Sequence, residues 1–338
     1  MKIKEEIPIF FSADDNYVPC LAVAVRSLIE HSSKENYYRI IVLHTGMKEK
    51  SMEELKKLEV ENVKFSFENV SKKVKGIEKD LELRLRDYYS IAIFYRLFIP
   101  SMFPEYKKAI YLDADIVILD DIAKMYNMDM KNNILAVVSD ATVNNTKDFV
   151  IYAKQALGVV PPKYFNSGVL LMDLRKMREE KIEEKFLYLL VKYNLETIAP
   201  DQDYLNILCK DRVLYLDETW DKMPDFGEYI EEEKLHIIHY NMFRKPWHYD
   251  DVPYSDIFWR YAKKTDYYEK LQKELKEYTD FDKAEDLEGV KKLIESSKKI
   301  IKQDIKFIDI ADDVKNYETI SEEEGEEETK TQGVLDLI

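Results

Sequence analysis

Short apolar runs separated by stretches of helical period open this sequence, and they leave few folds available to it. Ile7–Phe11, Arg39–Leu43 and Val63–Phe67 read as strands. Between them, Leu21, Val25, Leu28 and Ile29 follow a helical period after Pro19, and Ser51–Leu58 is amphipathic. Strands spaced by helices of this length predict an α/β layered fold with a mostly parallel sheet. In such sheets ligands collect at loops beyond the carboxyl ends of the strands. The polar loop Ser12–Asn16 is one such place.

A second is the stretch Lys107–Leu119, KKAIYLDADIVIL. Asp113 and Asp115 sit between two apolar runs, and in extended backbone residues two apart point the same way. Close carboxylates repel, and burying them is costly unless a positive charge lies between them. A divalent cation with oxygen ligands would supply it. The plainer alternative is an exposed loop. Asp201/Asp203 and Asp280/Asp282 share the spacing but follow no clear apolar strand.

The remaining chain continues the pattern. Tyr89–Ile99 reads as a buried helix whose one charge, Arg96, either snorkels outward or anchors an anion; snorkelling is the plainer reading. Ile134–Val138 and Val169–Asp173 read as strands, Thr146–Leu157 as a helix, and Lys176–Tyr193 as one charged helix on the surface. Pro200 opens a further helix in which Asp201 and Asp203 read as caps. Leu235–His239 is a strand running into a basic loop, and helices follow at Ile257–Lys263 and Tyr267–Tyr278. Val290–Ile305 reads as a surface helix, with docking to a membrane or partner the lesser reading. The acidic end from 321 to 338 reads as disordered.

Length and charge exclude several functions. At 338 residues the chain can bury a large core. A net charge of −15 argues against nucleic acid as the partner. Cys20 and Cys209 alone cannot make a disulfide framework or a four-cysteine zinc site. Neither a signal peptide nor a membrane span is expected, so a cytoplasmic protein is the default. With eight glycines in all, glycine-rich phosphate cradles are nearly excluded.

His236 and His239 lie three apart on a strand, on opposite faces, so they should not share a metal. His239 at the strand end is the better candidate, although a hydrogen-bonded core histidine is the commoner case. Two carboxylates and an imidazole suit manganese better than magnesium. Lys245, beside Arg244, could meet a phosphate, so that metal and lysine together would stabilise charge on a departing diphosphate.

The ordered blocks FSADDNY, FYR, YLDADIVIL, YFNSGVLLMDL, PDQDYLN and H-x-x-M-x-x-KPW, from about Ile7 to Trp247, resemble glycosyltransferase family 8. The resemblance implies a retaining enzyme with the GT-A nucleotide-diphospho-sugar transferase fold, in which a mixed, mostly parallel sheet is flanked by helices. It also implies Mn2+, with Mg2+ a lesser option, and a UDP-sugar donor, UDP-glucose or UDP-galactose. On this resemblance Asp113, Asp115 and His239 are the metal ligands. Ser12, Ala13, Asp14 and Asn16 hold uracil and ribose, and Ala114 sits against the ribose. Arg96, Asn166, Asp201 and Gln202 form the sugar side, and Lys245 contacts the diphosphate. It displaces the plainer readings of Arg96, Asp201 and His239. The family's last motif carries glycine where this chain has Met242, which leads us to expect an altered loop or weaker donor binding there.

The expected division is a GT-A catalytic domain over residues 1–265, a helical extension over 266–320 and the acidic tail over 321–338. The expected activity is hexosyl transfer to a saccharide or glycolipid acceptor with retention, in the cytoplasm or at a membrane surface. A front-face route is preferred over a covalent intermediate, for which Gln202, Asp203 and Asp140 are the candidates. A nucleotide-sugar hydrolase and an impaired UDP-sugar-binding protein are the rivals. Oligomeric state and acceptor identity are not legible, since acceptor pockets are built by variable loops.

Overall fold

The computed structural model describes residues 6–72, 94–315 and 317. The first residues of the helix expected at Tyr89–Ile99 and the tail from 321 onward lie outside them.

Seven strands form the main sheet: β1 (Glu6–Ser12), β2 (Tyr37–His44), β3 (Val63–Asn69), β4 (Ala109–Leu112), β6 (Leu135–Val137), β7 (Val169–Met172) and β8 (Val213–Tyr215). Their order is β3-β2-β1-β4-β7-β6-β8. β1 pairs in parallel with β2 and β4, as do β2 with β3 and β6 with β8; β7 runs antiparallel to both its neighbours. The expected mixed, mostly parallel sheet is therefore present, with β7 as its reversed member. Alternation splits the strands between two cores. Phe10, Leu43, Tyr111 and Leu170 pack on one face, and Ile9, Phe11, Val42, Ile110 and Leu112 on the other.

A second, two-stranded sheet joins β5 (Ile116–Ile118) to β9 (Ile237–His239), antiparallel, with Ile116 opposite His239. The chain leaving Asp115 thus enters a strand whose partner ends in His239.

Helix α1 (Val18–His31) starts on Pro19 and buries its apolar face, and α2 (Glu49–Lys56) links β2 to β3. Helix α3 (Tyr95–Met102) continues through Pro100 and beyond the expected end at Ile99. The single surface helix expected over Lys176–Tyr193 is two, α4 (Leu174–Glu179) and α5 (Ile182–Tyr193). Lys181 between them has φ 53°, a left-handed conformation that no helix interior accepts. Nor does α5 lie on the surface, since Phe186, Leu187, Leu189 and Leu190 are buried. The helical period was legible; its burial was hidden by its charged residues, of which Glu183 is itself buried.

Helix α6 (Pro200–Cys209) carries PDQDYLN, followed by α7 (Ser255–Ala262) and α8 (Tyr268–Glu277). The charge-dense segment from Asp280 is a 21-residue helix, α9 (Asp280–Ile300), opened by a capping box between Thr279 and Asp282. Its end and the residues after it join the main core through Ile300, Phe307 and Ile310, and Phe307 meets Tyr204 edge-on at 4.9 Å. Among the described residues no helix is long and apolar enough to cross a membrane.

Candidate functional site

Asp113 and Asp115 occupy the bend between β4 and β5. The backbone N–H of Asp113 donates to the Gly168 carbonyl at 2.8 Å, and that of Tyr240 to the Asp115 carbonyl at 2.9 Å. One bond pins the bend to the start of β7 and the other to the end of β9. With both held, one ligand atom each from Asp113, Asp115 and His239 falls within 4.8 Å of the others. His239 Nε2 is 3.3 Å from Asp115 Oδ1 and 3.9 Å from Asp113 Oδ2. Its Nδ1 is 2.9 Å from Asp221 Oδ1, which fixes the ring and turns Nε2 inward. His236 points elsewhere, pairing with Asp120 at 3.0 Å and packing on Trp220, as strand alternation requires.

This corner favours positive charge. Burial works against the His239 imidazolium, but the carboxylates of Asp221 and Asp115 outweigh it and lift the pKa to about 10. Burial would raise the Asp115 carboxyl, yet Lys245 and His239 hold it well below the carboxylate range. Two carboxylate oxygens and an imidazole nitrogen oriented by a further carboxylate are a donor set that fits a divalent cation.

Glycine at 168 is a requirement of this corner. A Cβ there would stand 2.4 Å from His239 Cε1 and 2.7 Å from Asp113 Oδ2. The N–S–G sequence before β7 thus leaves space for two ligands while its own N–H donates to Asn166 Oδ1 at 2.7 Å.

Arg96, only 4 % exposed, does not snorkel. Its guanidinium meets Asp113 Oδ1 at 3.1 Å and Asp201 Oδ2 at 3.0 Å, donates to the Ser167 carbonyl, and lies over the Tyr111 ring. Tyr111 in turn donates to Asp113 Oδ1 at 3.0 Å. A planar, permanently charged fork is the side chain that can satisfy two buried carboxylates at once. Asp201 is accordingly no mere helix cap.

Asp140, Asn166, Asp201 and Gln202 line a cleft of about 230 Å³ beside the ligand cluster. Gln202 Oε1 accepts from the Ser167 N–H at 2.8 Å, and its amide donates to Asp140 Oδ2 at 3.0 Å. Asn166 donates to the same oxygen at 3.0 Å, while Asp140 Oδ1 accepts from the Val143 N–H. Asp140 therefore orients both amides. Asp203, grouped with these residues from sequence, is turned away. It is fully buried, accepting from Tyr152 and Tyr164 at 2.7 Å each and from the N–H groups of Ile198 and Ala199. Neighbouring residues on a helix are turned by about 100°, which puts Gln202 at the cleft and Asp203 beneath it, with Tyr164 accepting from Gln202 and donating to Asp203.

In the loop after β1, Asp14 accepts from the N–H groups of Asn16 and Tyr17, so the Ser12–Asn16 turn is self-supported. Ala13 and Ala114 are buried, whereas Asp14 and Asn16 are exposed. Lys245 is buried and its ammonium contacts Asp115 Oδ2 and the Tyr240 carbonyl. Met242, 39 % exposed, has φ 58°. Methionine thus carries here a left-handed conformation that glycine adopts without a Cβ penalty.

Sequence reasoning did not single out Tyr111, Ser167, Gly168 or Asp221. Tyr111 was accessible, two residues before Asp113 on the same strand face. Ser167 and Gly168 stand inside a quoted block, but only the packed structure shows what they touch. Asp221 has no local signal.

The Glyco_transf_8 model, described as glycosyl transferase family 8, matches residues 8–251. A putative glycosyltransferase of Haemophilus influenzae is 27% identical over 249 residues, covering 71% of this chain and 72% of that protein. A lipopolysaccharide 1,2-glucosyltransferase of Escherichia coli K12 is 26% identical over 275 residues, covering 75% of this chain and 77% of its own. Among solved structures, the galactosyltransferase LgtC in complex with donor and acceptor sugar analogs superposes with TM-score 0.63 at 25% identity, over 77% of this chain and 96% of that one. The apo structure of the bifunctional glycosyltransferase WbbM shares the fold with TM-score 0.67 at 24% identity over 81% of this chain. This chain spans 52% of WbbM, about half its length.

Proposed function

The chain belongs to glycosyl transferase family 8 and has the GT-A fold, and from that premise we propose that it is a retaining hexosyltransferase. It transfers glucose or galactose from a UDP-sugar to a hydroxyl of a saccharide, free or carried on a lipid, with manganese as the preferred cation. One observation carries this reading: Asp113, Asp115 and His239 converge within 4.8 Å beside both Lys245 and the amide-lined cleft. The names of the Escherichia coli glucosyltransferase and of the galactosyltransferase LgtC support a hexose as the transferred sugar.

In this reading Asp113, Asp115 and His239 would hold the cation, which when bound would offset the negative charge building on the departing diphosphate. Lys245 supplies a second positive charge from the chain itself, on a loop close enough for its ammonium to reach Asp115. Ser12, Ala13, Asp14, Asn16 and Ala114 receive the nucleoside. Asn166, Asp201 and Gln202 orient the sugar, and Arg96 keeps Asp113 and Asp201 in register with each other. Asp140 is engaged at both oxygens and Asp203 is locked between two tyrosines. With neither carboxylate poised to attack, the acceptor hydroxyl enters on the face from which the diphosphate leaves.

The test is a panel of sugar nucleotides, UDP-glucose and UDP-galactose included, incubated with Mn2+ or Mg2+ with and without a saccharide mixture. Glycosylated product that requires both acceptor and divalent cation is expected. Donor loss that is equally fast without acceptor would make the protein a nucleotide-sugar hydrolase. UDP binding without any turnover would make it a binding protein.

A further inference from the structure

Beyond the amide-lined cleft lies a second cavity of about 860 Å³, and Met242 and Leu293 line both. Its size falls within the range of roughly 300–1,000 Å³ common for ligand pockets. One end carries Tyr17 and Lys245, from the nucleotide side. Helix α9, which lies outside the residues matched by the family model, supplies much of the remaining lining.

Helix α9 is tied to the loop that carries Met242 and Lys245. Its Gly289 admits the Phe243 ring, since a Cβ there would stand 2.9 Å from Phe243 Cζ. Asp286 accepts from Tyr249 at 2.8 Å and from Tyr278 at 2.7 Å. His248 stacks on Tyr278 with ring centres 4.0 Å apart and meets Glu274 at 3.0 Å. The neck at Met242 and the wall at α9 therefore behave as one packed unit.

We propose that the α9 half of this cavity is the acceptor site, and that it takes a neutral saccharide longer than a single sugar. The inference rests on the hexosyltransferase reading. Same-face transfer brings the acceptor hydroxyl to the neck, beside Met242 and Lys245, and the cavity then continues along α9. The wall mixes apolar and hydrogen-bonding groups as a sugar surface does. Leu293 and Phe243 suit C–H faces, while Glu295, Ser296 and Lys299 suit hydroxyls. The α9 wall carries both signs, Lys292 and Lys299 beside Asp286 and Glu295, with Lys299 meeting Glu196 at 3.6 Å, so it offers no net charge for a charged ligand to match. Helix α9 thus sets acceptor choice while the family-matched core handles the donor.

The experiment uses the full chain with Mn2+ and the donor that is turned over best. Glucose, galactose, lactose, maltose and maltotriose are offered as acceptors. Transfer to the longer saccharides is expected to exceed that to monosaccharides by about tenfold in kcat/KM. The double variant Glu295→Ala/Lys299→Ala, on the exposed side of α9, and the cavity-filling Ser296→Trp should raise acceptor KM about fivefold, while the calorimetric affinity for UDP stays within about twofold. Equal use of monosaccharides overturns the proposal, as does a parallel loss of UDP affinity. Donor hydrolysis with no saccharide of the panel accepted overturns the acceptor class and leaves the donor chemistry standing. Absence of turnover with every sugar nucleotide removes the hexosyltransferase reading, and this inference with it.

Discussion

Gly168 and His239 approach so closely that a single added methyl at Gly168 would lie 2.4 Å from the imidazole Cε1. Real contacts of that kind do not persist, so Gly168→Ala must displace His239, Asp113 or the start of β7. We expect a folded protein whose manganese-dependent UDP affinity falls by at least about tenfold, a loss of roughly 1.4 kcal/mol. Calorimetric titration of UDP with and without Mn2+, beside a thermal melt, reads both quantities. Unchanged affinity in a folded variant would mean that the close fit at Gly168 does not govern metal-dependent UDP binding.

Asp221 acts on the same imidazole from behind, at 2.9 Å from Nδ1. Asp221→Asn keeps an acceptor but removes the negative charge that makes His239 a stronger base. Partners of this kind are worth about 10–100-fold in metal affinity. The manganese concentration giving half-maximal UDP binding should rise by a factor in that range, with UDP affinity at saturating metal nearly restored.

Met242 tests whether the missing glycine matters. Its φ of 58° is already the glycine-type conformation. Left-handed backbone costs a non-glycine residue about 1–2 kcal/mol, and glycine returns roughly 0.5–1 kcal/mol of that through its more flexible unfolded chain. Met242→Gly should therefore stabilise the fold by about 1 kcal/mol or less in urea denaturation, and leave UDP affinity within about twofold. A large gain in UDP affinity would identify the methionine side chain as an obstruction.

Asp203 offers a pH test independent of metal. Burial raises its carboxyl to about 6, against the hydrogen bonds from Tyr164 and Tyr152 that favour the ionised form. Because the folded value exceeds the unfolded one, the neutral acid favours folding, and this contribution is lost as pH rises from about 4 through about 6. Stability of the wild type relative to Asp203→Asn should fall by about 3 kcal/mol across that interval. Denaturant unfolding of both proteins at stepped pH values measures it. A difference that stays constant with pH would mean that Asp203 titrates alike in both states.

The parts of this molecule that were legible in sequence are those written in local periodicity. β1, β2, β3 and β4 announced themselves as apolar runs, and Asp113-Ala114-Asp115 stood out because acids interrupted one. The break at Lys181 was not legible, since nothing in its neighbours forces a left-handed residue there. The difference between Gln202 and Asp203 required knowing which side of α6 faces the cleft. Residues alone favoured a snorkelling Arg96, and only its distance to Asp113 and Asp201 shows why a guanidinium is buried. The partnership of His239 with Asp221 arises from tertiary packing that no spacing encodes.

The reversed strand β7 has a consequence for how the molecule comes to exist. Running against β4, it sets its first residues beside the last residues of its neighbour, so Gly168 and Asp113 meet at one end of the sheet. A chain folded only as far as β4 holds the two acids without their backbone support, and His239 is contributed later still, by β9. Such non-local pairings close slowly because their loops must be ordered first. The acids emerge from synthesis well before the imidazole that completes their set. The three candidate ligands are therefore brought together only once β9 has paired with β5.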